Sequence, residues 1–312
     1  MNAATVDSRR DFPSVSVVTP TRDRPEFLRR ALAAVFAQTY AGEIECVVVF
    51  DQSEPRLPDL STPDGKMLRA IVNERSPGLA GARNSGALAA SGELVAFCDD
   101  DDEWLPEKLA FQVAAMRALA ATTVSCGIVV RYRGREVERR PASDTVTFDD
   151  LLRSRRMEIH PSTILVSREA LLGRIGLVDE GIPGSYAEDY EWLLRAARAG
   201  VLAAVPRPLV RVQWHESSFF TARWDTIISA LTYLLDKYPE FERVPAGLAR
   251  IYGQLAFAHA ASGRRAEARR WARRSLKLNP RQPRAYLALL VSSRVVRPDT
   301  VLRVAHTFGR GV

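Results

Sequence analysis

The sequence predicts an α/β fold with a mostly parallel central sheet, followed by a C-terminal helical extension. Three observations carry this. Short apolar, β-rich runs alternate with helix-period segments over the first 120 residues, the pattern of a sheet covered by helices on both faces. One of those runs, residues 94–98, stops abruptly in five consecutive acids, Asp99, Asp100, Asp101, Asp102 and Glu103, and ligands of open α/β sheets gather where strands end. From Trp224 onward the apolar spacing is helical. The expected division is a main domain over 12–222 and a basic helical extension over 223–312.

Taken in order, residues 15–20 form a strand that ends at a turn. Residues 25–38 place Phe27, Leu28, Leu32, Val35 and Phe36 at helical spacing. Residues 44–50 are a second buried strand closing at Asp51, and 67–72 a third. A turn at Ser76, Pro77 and Gly78 leads into 79–88, whose small residues suit a helix packed close to a sheet or a ligand. After the acidic run, Pro106 stands in the first turn of a helix through Leu109, Val113, Met116 and Leu119. Strands are expected over 122–132, 136–139 and 164–166, and a short helix over 148–152. Residues 176–184 are a turn-rich loop, and 187–192 open a helix that Gly200 stops. Residues 201–212 are extended, but Pro206 and Pro208 argue against a central strand there. Farther on, Ala268, Trp271, Ala272, Ser275 and Leu276 share one helix face in a segment like part of a tetratricopeptide repeat. Only about one and a half such units occur where stacking arrays need about three, so the segment reads as an appendage, not a free solenoid.

Composition narrows the classes. No run of about 18 apolar residues occurs, so no transmembrane helix is expected. The first eleven residues are polar and lack a signal-peptide core. Cys46, Cys98 and Cys126 are an odd number set among apolar neighbours, as for buried free thiols in a reducing compartment. The expected location is cytoplasmic, peripheral at the inner membrane face at most. Of the net charge of +7, residues 240–312 supply fifteen Lys/Arg against four Asp/Glu. Such a tail is either a solvated face or a contact for an anionic membrane or protein.

Adjacent carboxylates repel one another unless a cation holds them. Hard divalent ions prefer one or two carboxylates plus phosphate oxygens. The acidic run therefore suggests a metal bridging the protein to a phosphorylated ligand. The competing reading is a solvated acidic loop that caps the next helix.

Together these segments resemble a family 2 glycosyltransferase of the GT-A fold, over about two thirds of the chain. The strand and turn over 15–22 match the family's nucleotide-contacting start. Asp51 keeps the acid expected at the base or ribose, although Phe50 and Gln52 replace the acid and glycine usual beside it. Pro77, Gly78 and Leu79, with Ala82, Arg83, Asn84, Ser85 and Gly86, match the segment beside the donor. The acidic run matches the family's DxD corner, Glu188 and Asp189 its acidic pair, and His215 a histidine often found near metal and diphosphate.

The resemblance implies the GT-A nucleotide-diphospho-sugar transferase fold over 12–222. It also implies a nucleotide-diphosphate sugar as donor, a hydroxyl acceptor (polysaccharide, glycolipid or natural product) and inversion at the anomeric carbon. It places Thr19, Pro20, Thr21, Arg22, Asp51, Arg83, Asp99 and Asp100 at the donor, and Asp101, Asp99 and His215 at a Mn²⁺ or Mg²⁺ ion. Asp189 is the expected general base, with Glu188 next in line. Arg22 and Arg24 either contact phosphate or are solvated, and His160 either lines the acceptor pocket or is a core histidine. Trp104 is expected to pack under the corner. A sugar nucleotidyltransferase is the alternative enzyme class, but its Gly-rich, Lys-containing loop is missing after the first strand. A non-catalytic nucleotide-sugar-binding scaffold would not need both the acidic corner and Asp189. No nucleic-acid partner is expected.

Overall fold

The computed structural model describes residues 12–214 and 223–307. The chain opens with β1 (Val15–Thr21), α1 (Pro25–Phe36), β2 (Ile44–Phe50), β3 (Lys66–Val72), α2 (Leu79–Ala89) and β4 (Leu94–Phe97). Every residue of β1, β2 and β4 is buried, as expected for parallel strands covered on both faces. Helix α1 buries Leu28, Ala31, Leu32, Val35 and Phe36 along one stripe. Helix α2 uses small residues to approach the sheet. A Cβ on Gly86 would stand 2.2 Å from Val18 Cγ1, so the missing side chain is what lets this helix sit on β1.

Next come β5 (Glu103–Trp104), α3 (Lys108–Ala118), β6 (Thr123–Tyr132), β7 (Arg135–Arg139), α4 (Phe148–Arg153), β8 (Leu165–Ser167), α5 (Arg168–Leu172), α6 (Glu188–Ala199) and β9 (Leu202–Gln213). The strands form one sheet in the order β3-β2-β1-β4-β8-β6-β9-β5, with β7 on β6. From β3 to β4 the pairing is parallel throughout. Beyond β4 it is mixed: β8 is antiparallel to β4 and β6, whereas β9 is parallel to β6 and antiparallel to β5.

Strand β9 corrects the expectation for 201–212. It lies inside the sheet despite Pro206 and Pro208. The register explains this: Cys126 pairs with Val205, and Gly127 pairs with Pro208. Pro206 and Arg207 are skipped in a bulge and exposed, so the prolines sit where a ladder bond is already broken. Gly127 leaves room for the bulge, since a Cβ there would stand 3.0 Å from the Arg207 carbonyl oxygen. All three cysteines are buried and free.

The last helices are α7 (Trp224–Lys237), α8 (Pro245–Ala261), α9 (Arg265–Leu278), α10 (Pro283–Ser292) and α11 (Pro298–Thr307). Ala256, Phe257, Ala260, Ala268, Ala272, Ala285, Ala288, Val291 and Val301 form their core, so the face read from the 268–276 pattern is the packed one. Trp224 meets Phe257 edge-on at 5.8 Å. No helix of the described residues is long and apolar enough to cross a membrane.

Contacts group the described residues into two compact units that interleave in sequence. Among the described residues, the first comprises 12–147, 157–180 and 195–213; the second comprises 148–156, 181–194, 214 and 223–307.

Candidate functional site

In the first unit, the ends of β1 and β4 bring the predicted donor residues to one corner. Thr19 and Thr21 are buried at the end of β1. Thr21 Oγ1 donates to Asp100 Oδ2 at 2.7 Å. Arg24 Nη1 donates to Asp100 Oδ1 at 3.2 Å and to Asp101 Oδ2 at 3.1 Å. Arg24 thus pairs with acids of the corner, whereas Arg22 is exposed. Burial, followed by the nearby Asp101 and Asp99 charges, pushes the Asp100 carboxyl up to about 6 against the pull of Thr21 and Arg24. Thr19 Oγ1 is buried without a hydrogen-bond partner among the described residues, and such an orphaned hydroxyl is the kind of group a ligand satisfies.

The acidic run is distributed among several partners. Arg83, 3 % exposed, donates through Nη2 to Asp99 Oδ1 at 2.8 Å. Asp102, 1 % exposed, accepts from Ser162 Oγ at 2.5 Å and lies 3.2 Å from His160 Nδ1. Ser162 Oγ in turn accepts from the Asp99 backbone N–H at 2.9 Å. A short 3-10 turn, Pro161–Thr163, holds Ser162 there. One ligand atom each of Asp99, Asp102 and His160 lies within 4.8 Å of the others.

Two carboxylate oxygens and an imidazole nitrogen suit Mn²⁺, with Mg²⁺ the harder alternative, so the donor set fits the expected ion. The set differs from the one expected, since Asp101 faces Arg24 and His215 lies outside the described residues. His160 is a half-buried member of the corner rather than a core histidine. Trp104 is buried and carries Lys108 Nζ 3.6 Å above its ring. Lys108 is wholly buried, and burial brings its pKa down to about 8.

Asp51 is fixed by three donors: Asn73 Nδ2 at 2.8 Å, Gly78 N at 3.0 Å and Gln52 Nε2 at 3.1 Å. Gly78 has φ 109°, which favours glycine, and this conformation turns its N–H onto Asp51. Behind it, Asn84 exchanges two 2.8 Å bonds with the Val178 backbone and donates to Glu180 Oε1 at 2.6 Å. Glu180 also accepts from Ser76 Oγ and Arg75 Nε, each at 2.5 Å. Burial alone would raise its pKa, but the bonds from Asn84, Ser76 and Arg75 outweigh it and bring the pKa down to about 2. Sequence reading left Glu180 in a loop, because its partners lie about a hundred residues away.

Glu180→Gln is expected to lower stability by about 1–3 kcal/mol, the scale of hydrogen bonds to a charged group. Because the folded pKa is depressed, the wild-type advantage is complete above 4.5 and is lost as pH falls toward about 2. Urea midpoints of the two proteins should converge over that window.

In the second unit, Asp189 lies in the first turn of α6, and both its carboxylate oxygens accept from Arg155 Nη2 at 2.8 Å. Glu188 is 4 % exposed beside it.

The family model described as "Glycosyl transferase family 2" matches residues 16–172. The chain belongs to that family. WfgD of Escherichia coli, a UDP-Glc:alpha-D-GlcNAc-diphosphoundecaprenol beta-1,3-glucosyltransferase, is 35 % identical over 104 residues, 33 % of this chain and 40 % of that protein. The uncharacterized glycosyltransferase alr2836 of Nostoc is 39 % identical over 101 residues, 30 % of each chain. The chain thus spans less than half the length of these relatives. Among solved structures, S. aureus TarS 1-349 with UDP-GlcNAc aligns at TM-score 0.61 and 17 % identity over 95 % of this chain and 92 % of that one. Mannosyltransferase PcManGT from Pyrobaculum calidifontis, with GDP-Man and Mn²⁺, aligns at TM-score 0.51 and 21 % identity over 95 % and 80 %. At these identities the likeness shows the fold, a GT-A-like mixed α/β sheet with a helical C-terminal region.

Proposed function

We propose that this protein is an inverting, metal-dependent glycosyltransferase that moves a sugar from a nucleotide-diphosphate sugar to an acceptor hydroxyl. The observation that carries the reading is the Asp99, Asp102 and His160 donor set at the end of a parallel strand, next to Thr21 and Asp100. Asp51, Thr19, Pro20, Thr21, Arg22 and Arg83 grip the nucleotide, so that binding energy positions the sugar. Asp99, with Asp101 and His215 by resemblance or Asp102 and His160 by proximity, holds Mn²⁺ or Mg²⁺. That ion supplies charge neutralisation at the leaving diphosphate. Asp189 takes the acceptor proton. Asp189 as base fits a single displacement, and inversion is what the resemblance to family 2 implies.

Residues 12–222 form the catalytic domain in this reading, and 223–312 an accessory. The exposed Arg265, Arg269, Arg270, Arg273 and Arg274 of α9 suit an anionic membrane or protein surface. A panel of nucleotide sugars incubated with the protein and Mn²⁺ or Mg²⁺ tests the activity by donor hydrolysis. One donor should be turned over with metal and spared with chelator; no turnover of any donor in either metal would overturn the reading.

A further inference from the structure

In the first unit, a lysine shortly past the acidic run has no acid to meet. Lys108 opens α3 and is wholly buried. Its ammonium donates to Gln112 Oε1 at 2.7 Å and stands over the Trp104 ring, and among the described residues no carboxylate pairs with it. An apolar residue of similar volume would pack there without the cost of burying a charge, so packing alone does not account for the lysine. A lysine has donors only, whereas an amide has a donor end and an acceptor end. Lys108 therefore fixes which way round the Gln112 amide lies: Oε1 turns to the ammonium and Nε2 away from it. Nε2 donates to the Val124 carbonyl of β6 at 3.1 Å and to the Thr163 carbonyl at 2.6 Å. Gln112 is as buried as Lys108, so these bonds are made away from bulk water.

Thr163 belongs to the turn that brings His160 and Ser162 to the acids. Its N–H and Oγ1 both donate to the His160 carbonyl, at 2.8 and 2.7 Å, which ties the turn into one piece. Through its other residues that piece meets the corner: Ser162 Oγ joins Asp102 to the Asp99 N–H, and His160 Nδ1 lies beside Asp102. A shift of Thr163 thus carries His160 and Ser162 with it, and changes the spacing of the Asp99, Asp102 and His160 donor atoms. Such spacing is what partners outside the ligand shell control at a metal site. We propose that Gln112, oriented by Lys108, is a positioning residue for the corner at the end of β4, setting its ligand spacing through the 160–163 turn. This rests on the reading of that corner as the metal and diphosphate site.

Calorimetry of UDP and GDP binding to the full chain, with Mn²⁺ and again with chelator, tests this. The quantity read is the gain in nucleotide affinity that Mn²⁺ brings. Gln112→Glu keeps the shape and the oxygen toward Lys108, gives the ammonium a carboxylate, and removes both Nε2 bonds. It should cut the Mn²⁺ gain about 10–100-fold and leave the affinity with chelator equal to wild type. The Mn²⁺ paramagnetic resonance spectrum of its nucleotide complex should also differ from wild type, which lost stability alone would not cause. Ser162→Ala should cut the gain as well, and the double variant should lose little more than the larger single effect, because both act through one turn. If Gln112→Glu does not fold, Lys108→Met with Gln112→Met, an apolar pair of similar volume, carries the same comparison. An unchanged gain and spectrum in the Gln112 variant, or effects that simply add to those of Ser162→Ala, overturn the inference and leave the corner standing. Equal loss with and without metal overturns it too, by making Gln112 a general support of the fold. No Mn²⁺ gain in wild type with either nucleotide overturns the reading of the corner, and the inference with it.

Discussion

Exchange of Asp99 for asparagine is expected to abolish the metal-assisted part of UDP or GDP binding. Asp99 is the member shared by the ligand set the resemblance implies and the set the geometry brings together. It stands just past β4 with its backbone N–H on Ser162, so its position is set by the fold. Asparagine preserves that size and removes the charge a divalent ion needs. Both exchanges take the carboxylate from the buried Arg83, but asparagine keeps an oxygen that accepts from it and alanine does not, so a denaturant midpoint for the variant separates lost binding from lost fold. The loss of metal affinity should exceed the roughly 10–100-fold that removal of an outer-shell partner costs. Calorimetry with Mn²⁺ and with chelator reads it, and equal, metal-independent binding by wild type and variant would sink the idea. Asp101→Ala and His160→Ala then decide between the sets. If metal-assisted binding follows Asp101, Arg24 releases that carboxylate on loading. If it follows His160, Asp102 is a ligand and Asp101 belongs to Arg24.

What could be read from the sequence, and what could not, divides by range. Largely apolar runs such as 44–50, in which Glu45 is the one charged residue, announced buried parallel strands, because burial on both faces leaves no alternation to misread. The acids at the end of 94–98 announced a corner for a similar reason: a strand that stops in charge must stop at the edge of the core. The small residues of 79–88 foretold close packing, which Gly86 against Val18 realises. Long-range partners carried no such local signal. Asp102 reads like its three neighbours until Ser162 and His160 arrive from about sixty residues away and bury it. Glu180 looked like loop until it met Asn84 and Ser76. Lys108 interrupts the apolar spacing of its helix, yet it is buried because the Trp104 ring and Gln112 Oε1, at 2.7 Å, receive its ammonium. Pro206 and Pro208 pointed the wrong way because a bulge is a property of two strands, and only one was in view.

Asp189→Asn should reduce transfer by about 10²–10⁴, the range for loss of a general base, while donor binding stays largely intact. Asp189 is the right kind of group for the role: a carboxylate in the first turn of α6, where the helix dipole favours negative charge. Its two bonds to Arg155 fix its orientation, as a base must be fixed to meet one particular hydroxyl. Asparagine keeps the shape and one acceptor oxygen toward Arg155 but cannot take a proton at neutral pH. The effect should therefore fall on kcat, with the KM for donor little changed, since the nucleotide contacts proposed here involve other residues. A denaturant midpoint for the variant guards against simple loss of fold, because Arg155 loses its carboxylate partner in the exchange. Near-normal turnover with an established acceptor would move the role to another group, with the buried Glu188 next and Glu188→Gln its test. Loss of nucleotide binding instead would make Asp189 a donor or metal residue and would overturn the division of roles between it and the corner at the end of β4.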